Sequence, residues 1–189
     1  MFEKFCLPSI SAQTNNNFQW IVLFDESTSE GYRSRINEYK EQCKQFLPVF
    51  VGEKWHHNFI AVFRGVIKKL CTESGENFDM LLTTYLDNDD ALATDFVEDI
   101  QTRVVNFSTG TFLNYSTGLQ YFPKSKILLR VDYPHNHFIS LYEDYDERLF
   151  RTVYGYGSHA FIDKLDNVRV SNTYSGARSA SNSSLRRSK

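Results

Sequence analysis

The stretch "TTYLDNDDALATDFVEDI", residues 83–100, places three aspartates within four positions: Asp87, Asp89 and Asp90. They follow the apolar run "FDMLLTTYL", residues 78–86, which is typical of a buried strand. Like charges at this spacing repel one another, and their burial is costly unless a positive partner is present. A helix N-terminus, a basic side chain or a metal ion would each supply that partner.

The first hundred residues alternate between helical and strand patterns. Amphipathic helices are predicted over residues 1–14, 32–46, 57–75 and 93–105, and apolar strands over residues 18–25, 47–52 and 78–87. This alternation favours an α/β domain with a mixed, mostly parallel central sheet flanked by helices. Ligands of such sheets bind at the carboxyl ends of the strands. Asp25 and Asp87 each end a predicted strand, so we expect both at one binding edge.

The pattern changes after residue 103. Three aromatic strand candidates, residues 110–122, 125–133 and 137–144, follow one another without long helices between them. We expect this half to be antiparallel or mixed and to extend the sheet. One domain is predicted over residues 1–168, and residues 169–189 are predicted to form a disordered tail because they are rich in Ser and Arg and poor in large apolar residues.

Composition limits the classes of protein that this chain can represent. The formal net charge of −2 does not favour a nucleic-acid partner. The three cysteines, Cys6, Cys43 and Cys71, are odd in number and widely spaced, as expected in a reducing compartment rather than in a disulfide framework. No apolar run reaches membrane-spanning length and no secretory leader opens the chain. We therefore expect a soluble, cytoplasmic protein without a transmembrane segment.

Three explanations compete for the aspartate cluster. Asp90 or Thr94 could cap the following helix, which accounts for one aspartate and not for three. A calcium loop is excluded because Leu92 stands where such a loop requires glycine. The third explanation is a D-x-D pair at a strand end that binds a divalent cation together with a diphosphate. The local sequence leaves capping and metal binding both open.

A wider set of motifs resembles the GT-A glycosyltransferases of the family-two type. The helix end "SISAQT", residues 9–14, has the S-x-x-x-Q-T pattern, and a strand ending at Asp25 and the strand end "LDNDD", residues 86–90, follow in that family's order. The phrases "CLPSI", "LDNDDAL", "FLNY" and "FISLYE" are similar to the rhamnosyltransferase group. The resemblance covers roughly residues 1–165.

The resemblance implies a GT-A fold and a metal-dependent hexosyl or rhamnosyl transfer. Asp25 would contact the base or ribose of a nucleotide-diphosphate sugar donor, and Asp87 the ribose or diphosphate. Asp89, with Asp90, would bind Mn²⁺ or Mg²⁺. The acceptor would be a saccharide or another hydroxyl compound. For Asp25, a capping role at the strand end is the competing explanation.

Four further residues are candidates for the site. Arg64, the basic residue in the apolar middle of a predicted helix, could bind the diphosphate or be a solvated side chain. The resemblance makes His159 a third metal ligand, although a surface or core histidine fits as well. Glu143 and Asp144 are candidates for the base that an inverting transfer requires, with an exposed acidic loop as the alternative. A retaining transfer would not need that base.

Two other interpretations remain open at this stage. GT-A proteins begin with a strand before their first helix, and here Met1 falls inside the expected helix, so we expect the first strand to be lacking. Such a chain could be a truncated, non-catalytic nucleotide-sugar-binding module. A metal-dependent nucleotidyltransferase would also bind its metal ion with carboxylates at the carboxyl ends of the strands. The sequence does not show the glycine-rich phosphate loop of such an enzyme.

Overall fold

A computed structural model describes residues 1–134, 136, 138–157, 159–164 and 169–173. The α/β class predicted from the sequence is confirmed. Contacts between residues divide the chain into two compact units, whereas the sequence predicts one domain over residues 1–168. Unit 1 comprises Met1–Asn77 and Asp87–Glu98, and unit 2 comprises Phe78–Leu86 and Asp99–Lys189.

The described residues form α-helices and strands at the following positions. The helices are α1 (Leu7–Ser11), α2 (Glu30–Gln42), α3 (Phe59–Ser74) and α4 (Phe96–Arg103). A π-helical turn, Phe2–Cys6, leads into α1, and short 3-10 helices cover Glu53–Trp55, Val104–Asn106, Val153–Tyr156 and His159–Lys164. The strands are β1 (Trp20–Asp25), β2 (Phe46–Val51), β3 (Met80–Thr84), β4 (Thr111–Tyr115), β5 (Thr117–Phe122), β6 (Ile127–Asp132), β7 (Ile139–Asp144) and β8 (Arg169–Thr173).

Unit 1 is built around the parallel pair of β1 and β2, which α2 connects. Asp25 lies opposite Val51, so both strands end at the same edge. Aromatic side chains pack around the start of the pair, where the ring of Trp20 lies 5.5 Å from that of Phe2 and 5.3 Å from that of Phe46. The β-branched and aromatic residues of β1 thus form a strand through side-chain packing as well as backbone pairing.

Helix α3 shows how local sequence sets the ends of an element. The Asn58 side chain accepts a hydrogen bond from the Ala61 N–H at 3.3 Å and caps the N-terminus. Gly75 follows the last turn with φ of +69°, a left-handed conformation that glycine adopts without strain. The helix end predicted at Gly75 is confirmed.

The sheet of unit 2 has the order β3-β7-β4-β8. Strand β7 is antiparallel to both β3 and β4, and β8 is parallel to β4. The sheet is therefore mixed, as predicted from the sequence, but the prediction that it is mostly parallel is wrong, since two of these three pairings are antiparallel. The reason is that β7 enters the sheet between β3 and β4 without a helical crossover, so it runs against both. The antiparallel or mixed character predicted for the second half is confirmed.

The sequence prediction placed β1 and β3 in one sheet, and the structure assigns them to different sheets. It also differs at the predicted tail. Arg169–Thr173, the first residues of that tail, pair with β4 as strand β8, and residues 174–189 lie outside the described part of the chain.

Two features of unit 2 differ sharply in burial. All five residues of β4 are buried, and the core contains Phe112, Ile139, Leu141, Val153 and Ile162. In contrast, β5 and β6 form a separate antiparallel hairpin whose residues 119–130 are all exposed. Within the described residues, no helix is both long and apolar enough to cross a membrane.

Candidate functional site

The aspartate cluster lies in unit 1 on a turn that follows β3 in the chain. The Asp90 N–H donates to the carbonyl of Asp87 at 3.3 Å, which closes the turn. Asp87 and Asp89 are exposed and Asp90 is half-buried. The two carboxylates of the D-x-D pair are therefore accessible to a ligand.

The end of α1 holds the segment that follows this turn. The Ser9 hydroxyl accepts a hydrogen bond from the Leu92 N–H at 3.2 Å. The Thr14 N–H donates to the Thr94 carbonyl at 2.8 Å. The S-x-x-x-Q-T motif thus fixes the chain immediately after the aspartates.

Gln13 makes further contacts with the same segment, and we call Ser9, Gln13 and Thr14 together the clamp. Its side-chain Nε2 donates to the carbonyls of Ala93 at 2.7 Å and Ser9 at 2.9 Å, and its Oε1 accepts from the Val97 N–H at 3.0 Å. Gln13 is buried, so these three bonds form in a region with little competing water. Ser9 lies in α1 and Gln13 lies two residues beyond its end, and a hydrogen bond from Gln13 to the Ser9 carbonyl brings them together.

Helix capping by Asp90 is ruled out by position. Helix α4 begins at Phe96, six residues after Asp90, so Asp90 is too far from the helix to occupy the N-cap position. The first helical N–H groups include that of Val97, which binds Gln13. Of the two explanations that the local sequence leaves open, the cap does not account for Asp90.

The negative charges of the aspartates affect a buried thiol in unit 1. Burial, together with the negative charges of Asp90 and Asp89, raises the pKa of the Cys6 thiol to about 12. The Cys6 Sγ lies 3.8 Å from the carbonyl oxygen of Asp87. Cys6 is therefore an inert, protonated thiol packed beneath the turn.

Asp25 ends β1 in a compact polar turn. Its Oδ1 accepts hydrogen bonds from the hydroxyl and the N–H of Ser27, and its Oδ2 lies 3.1 Å from the Nε2 of His56. The Ser27 bonds, followed by His56, hold the pKa of Asp25 below its usual value. The Asp25 side chain is still 48% exposed, so the turn-capping role and contact with a ligand are compatible.

Arg64 lies in the middle of α3, where it is half-buried. It belongs to unit 1, as do Asp25 and the aspartate cluster.

Glu143 has a structural role in unit 2. Its two carboxylate oxygens accept hydrogen bonds from the N–H groups of Arg151 at 3.0 Å and Thr152 at 2.9 Å. Glu143 is buried, and Thr152 has a left-handed φ of +70°. The carboxylate fixes a turn that the backbone alone would not favour.

The register of β7 places both candidate bases at the amino end of β3. Asp144 is opposite Met80, whereas Ser140 is opposite Thr84. Since β3 continues from its carboxyl end through Leu86 towards the aspartates, Asp144 is about four residues, or roughly 13 Å, from that end of the strand. Because β7 is antiparallel to β3, the carboxyl end of β7, with Glu143 and Asp144, lies beside the amino end of β3.

His159 opens the 3-10 helix His159–Lys164 in unit 2, and its side chain lies outside the described set. Among the side chains that are described, no three His, Cys, Asp or Glu converge in a way that could hold a metal ion. The predicted metal site thus remains a prediction.

A family model described as "Putative rhamnosyl transferase" matches residues 1–183. The chain belongs to this family. No curated protein and no solved structure matches the chain. Membership of the rhamnosyl transferase family indicates a glycosyltransferase activity and, with it, a sugar donor and an acceptor.

Two contacts of this family member were not predicted from its sequence: the clamp made by Gln13 and the pairing of Asp25 with His56. The signal for the first was available, since Ser9 and Gln13 are polar residues of the S-x-x-x-Q-T motif at the end of α1. The second joins residues on different elements, and only the fold reveals it.

Proposed function

We propose that this chain transfers a sugar from a nucleotide-diphosphate donor to an acceptor hydroxyl and that the segment Asp87–Asp90 binds a divalent cation during the transfer. The proposal includes a GT-A arrangement of the fold. The observation that supports it is the clamp, because Ser9, Gln13 and Thr14 hold the segment directly after the turn while the two D-x-D carboxylates stay exposed. A turn held in this way at its end, with two exposed charges, suits a ligand site better than a folding role.

The donor set fits Mn²⁺ or Mg²⁺. Both ions prefer carboxylate oxygens and leave coordination positions for phosphate and water. Asp89 would be the principal protein ligand, with Asp90 beside it, and His159 is a further proposed ligand. When bound, the ion neutralises negative charge on the diphosphate leaving group.

The other residues of unit 1 have donor-binding roles in this proposal. Asp87 accepts hydrogen bonds from the ribose or lies beside the diphosphate, and Asp25 accepts from the base or ribose. The Ser27 and His56 contacts of Asp25 would hold its carboxylate in one orientation, which lowers the entropy cost of binding. Arg64 would donate to the diphosphate.

The acceptor hydroxyl must lose a proton during transfer, and Glu143 is poorly suited to remove it. Both of its oxygens already accept backbone N–H bonds. Asp144 is exposed at the carboxyl end of β7. We therefore assign Glu143 the structural role and leave the base unassigned.

The test is nucleotide-sugar hydrolysis by the purified chain, with UDP-, GDP- and dTDP-sugars, in the presence and absence of Mn²⁺. Asp89→Asn keeps the side-chain shape but removes the charge. We expect the metal-dependent rate to fall by about 10²-fold or more in this variant, consistent with the loss of several kcal/mol of charge stabilisation.

Glu76→Gln is the matched control, since Glu76 is an exposed carboxylate of unit 1 outside the cluster. It should keep the wild-type rate. Hydrolysis that does not depend on Mn²⁺, or that Asp89→Asn leaves unchanged, would contradict the metal role. Binding of the nucleotide without turnover would favour the non-catalytic module instead.

A further inference from the structure

The hairpin of β5 and β6 exposes an unusual amount of apolar surface. Six large side chains are 40–49% exposed: Leu119, Tyr121, Phe122, Ile127, Leu128 and Leu129. A two-stranded ribbon is only marginally stable in water, and soluble proteins rarely leave a contiguous apolar patch on one. We therefore expect another molecule to bind and cover this surface.

The register divides the hairpin into two different faces. Cross-strand partners share a face, and successive residues alternate between faces. One face carries Gly118, Gln120, Phe122, Ile127, Leu129 and Val131, and we call it the uncharged face. The opposite face carries Arg130 and Asp132, and there the Thr117 hydroxyl donates to Asp132 at 2.8 Å.

The turn that joins the strands is basic. Lys124 and Lys126 are both exposed in the sequence "PKSK", residues 123–126. The chain as a whole has a net charge of −2, so this is a local concentration of positive charge. It lies directly beside Phe122 and Ile127, which pair with each other at the end of the uncharged face.

We propose that the uncharged face and the two turn lysines bind the surface of an anionic lipid bilayer. The face is only two strands wide. It can contact a partner through its apolar area and through the positive charges beside it. A bilayer surface matches both: Phe122, Ile127 and Leu129 enter the apolar boundary, while the flexible lysines reach the phosphates. The hairpin lies on the membrane and does not cross it.

The test is cosedimentation of the full chain with phosphatidylcholine vesicles, with and without phosphatidylserine. We expect binding to the phosphatidylserine vesicles that weakens as salt is raised. Lys124→Glu with Lys126→Glu should weaken binding by roughly 25-fold or more, at about fivefold for each lysine lost. These substitutions lie in an exposed turn and should not disturb folding.

The two faces provide a matched pair of variants. Ile127→Ser with Leu129→Ser removes apolar area from the uncharged face and should weaken binding at least about tenfold. Leu119→Ser with Leu128→Ser removes two aliphatic side chains of the same size from the opposite face and should leave binding within about twofold. Circular dichroism of each variant verifies that the chain is folded.

Three results would overturn the proposal. The first is that the wild-type chain does not bind phosphatidylserine vesicles. The second is that the two face variants lose binding equally. The third is self-association in the absence of lipid, measured by sedimentation equilibrium, that the Ile127→Ser and Leu129→Ser variant abolishes. That outcome would assign the face to a second copy of the chain.

Discussion

At the scale of single residues, the amide of Gln13 does the most to organise the candidate site. One side chain satisfies the carbonyls of Ser9 and Ala93 and the N–H of Val97, the last two in the segment that follows the aspartates. A hydrogen bond between neutral amide groups contributes about 1 kcal/mol to the free energy of unfolding, and a buried polar group left without a partner costs more. The path of the chain directly after the aspartates therefore depends on a residue about eighty positions earlier.

Gln13→Ala should lower the free energy of unfolding by about 2–3 kcal/mol, because it removes three buried bonds and leaves their partners unpaired. If the clamp positions the aspartates, the variant should also bind Mn²⁺ more weakly than wild type, as measured by titration calorimetry. Gln19→Ala, at an exposed glutamine of the same unit, is the control. Lower stability with unchanged Mn²⁺ affinity would show that the clamp supports folding and not the site.

Ser27→Ala should reveal the contribution of Asp25 to acid stability. Since the Ser27 bonds lower the pKa of Asp25 in the folded chain, their stabilisation is complete above the unfolded pKa of about 3.9 and is lost as pH falls through the folded pKa. The stability difference between wild type and variant should therefore be full at neutral pH and shrink below about pH 4. Urea unfolding at several pH values measures it.

The control for that experiment is Ser34→Ala, an exposed serine of α2. Its effect on stability should not change with pH. A Ser27→Ala difference that persists at the lowest pH would mean that the hydroxyl stabilises the turn independently of the charge of Asp25.

At the scale of elements, strand existence could be predicted and strand direction could not. The apolar run before Asp87 and the segment before Asp144 both indicate strands, and both are present. Whether β7 runs with or against β3 depends on which neighbour it pairs with, and that information lies in long-range packing. The position of Glu143 and Asp144 beside the amino end of β3 follows from this strand direction, which the sequence does not reveal.

Glu143→Ala and Asp144→Asn should separate structure from catalysis at the end of β7. Loss of the buried Glu143 carboxylate leaves two N–H groups without acceptors, so the free energy of unfolding should fall by about 2–4 kcal/mol. Asp144→Asn, at an exposed position, should change stability by no more than about 0.5 kcal/mol. Denaturant unfolding measures both, and sugar-transfer rates in Asp144→Asn should stay near wild type.

A large loss of rate in Asp144→Asn at unchanged stability would restore that residue as a candidate base. Equal stability of Glu143→Ala and wild type would contradict the structural role of the carboxylate.

At the scale of the whole molecule, the sequence predicts the type and order of the helices and strands better than how the strands are arranged in sheets. Hydrophobic periodicity gives the alternation of helices and strands through β3, and Gly75 marks a helix end correctly. The assignment of β1 and β3 to different sheets, and the pairing of β8 with β4, depend on contacts between residues far apart in the chain. The same limit applies to the site, where D-x-D is visible in the sequence and its clamp is not.

The proposed cation site makes a prediction about the stability of the entire chain. A ligand that binds only the folded state stabilises it by RT ln(1 + [L]/Kd), or about 2.7 kcal/mol at one hundred times Kd. Mn²⁺ together with a nucleoside diphosphate should therefore raise the unfolding temperature of wild type, and Asp89→Asn should remove most of that increase. Glu76→Gln should retain it, which separates the cluster from general surface charge. Scanning calorimetry with each component alone and combined tests this; an increase of equal size in Asp89→Asn would mean that the ion binds elsewhere, and the assignment of Asp89 as metal ligand would fail.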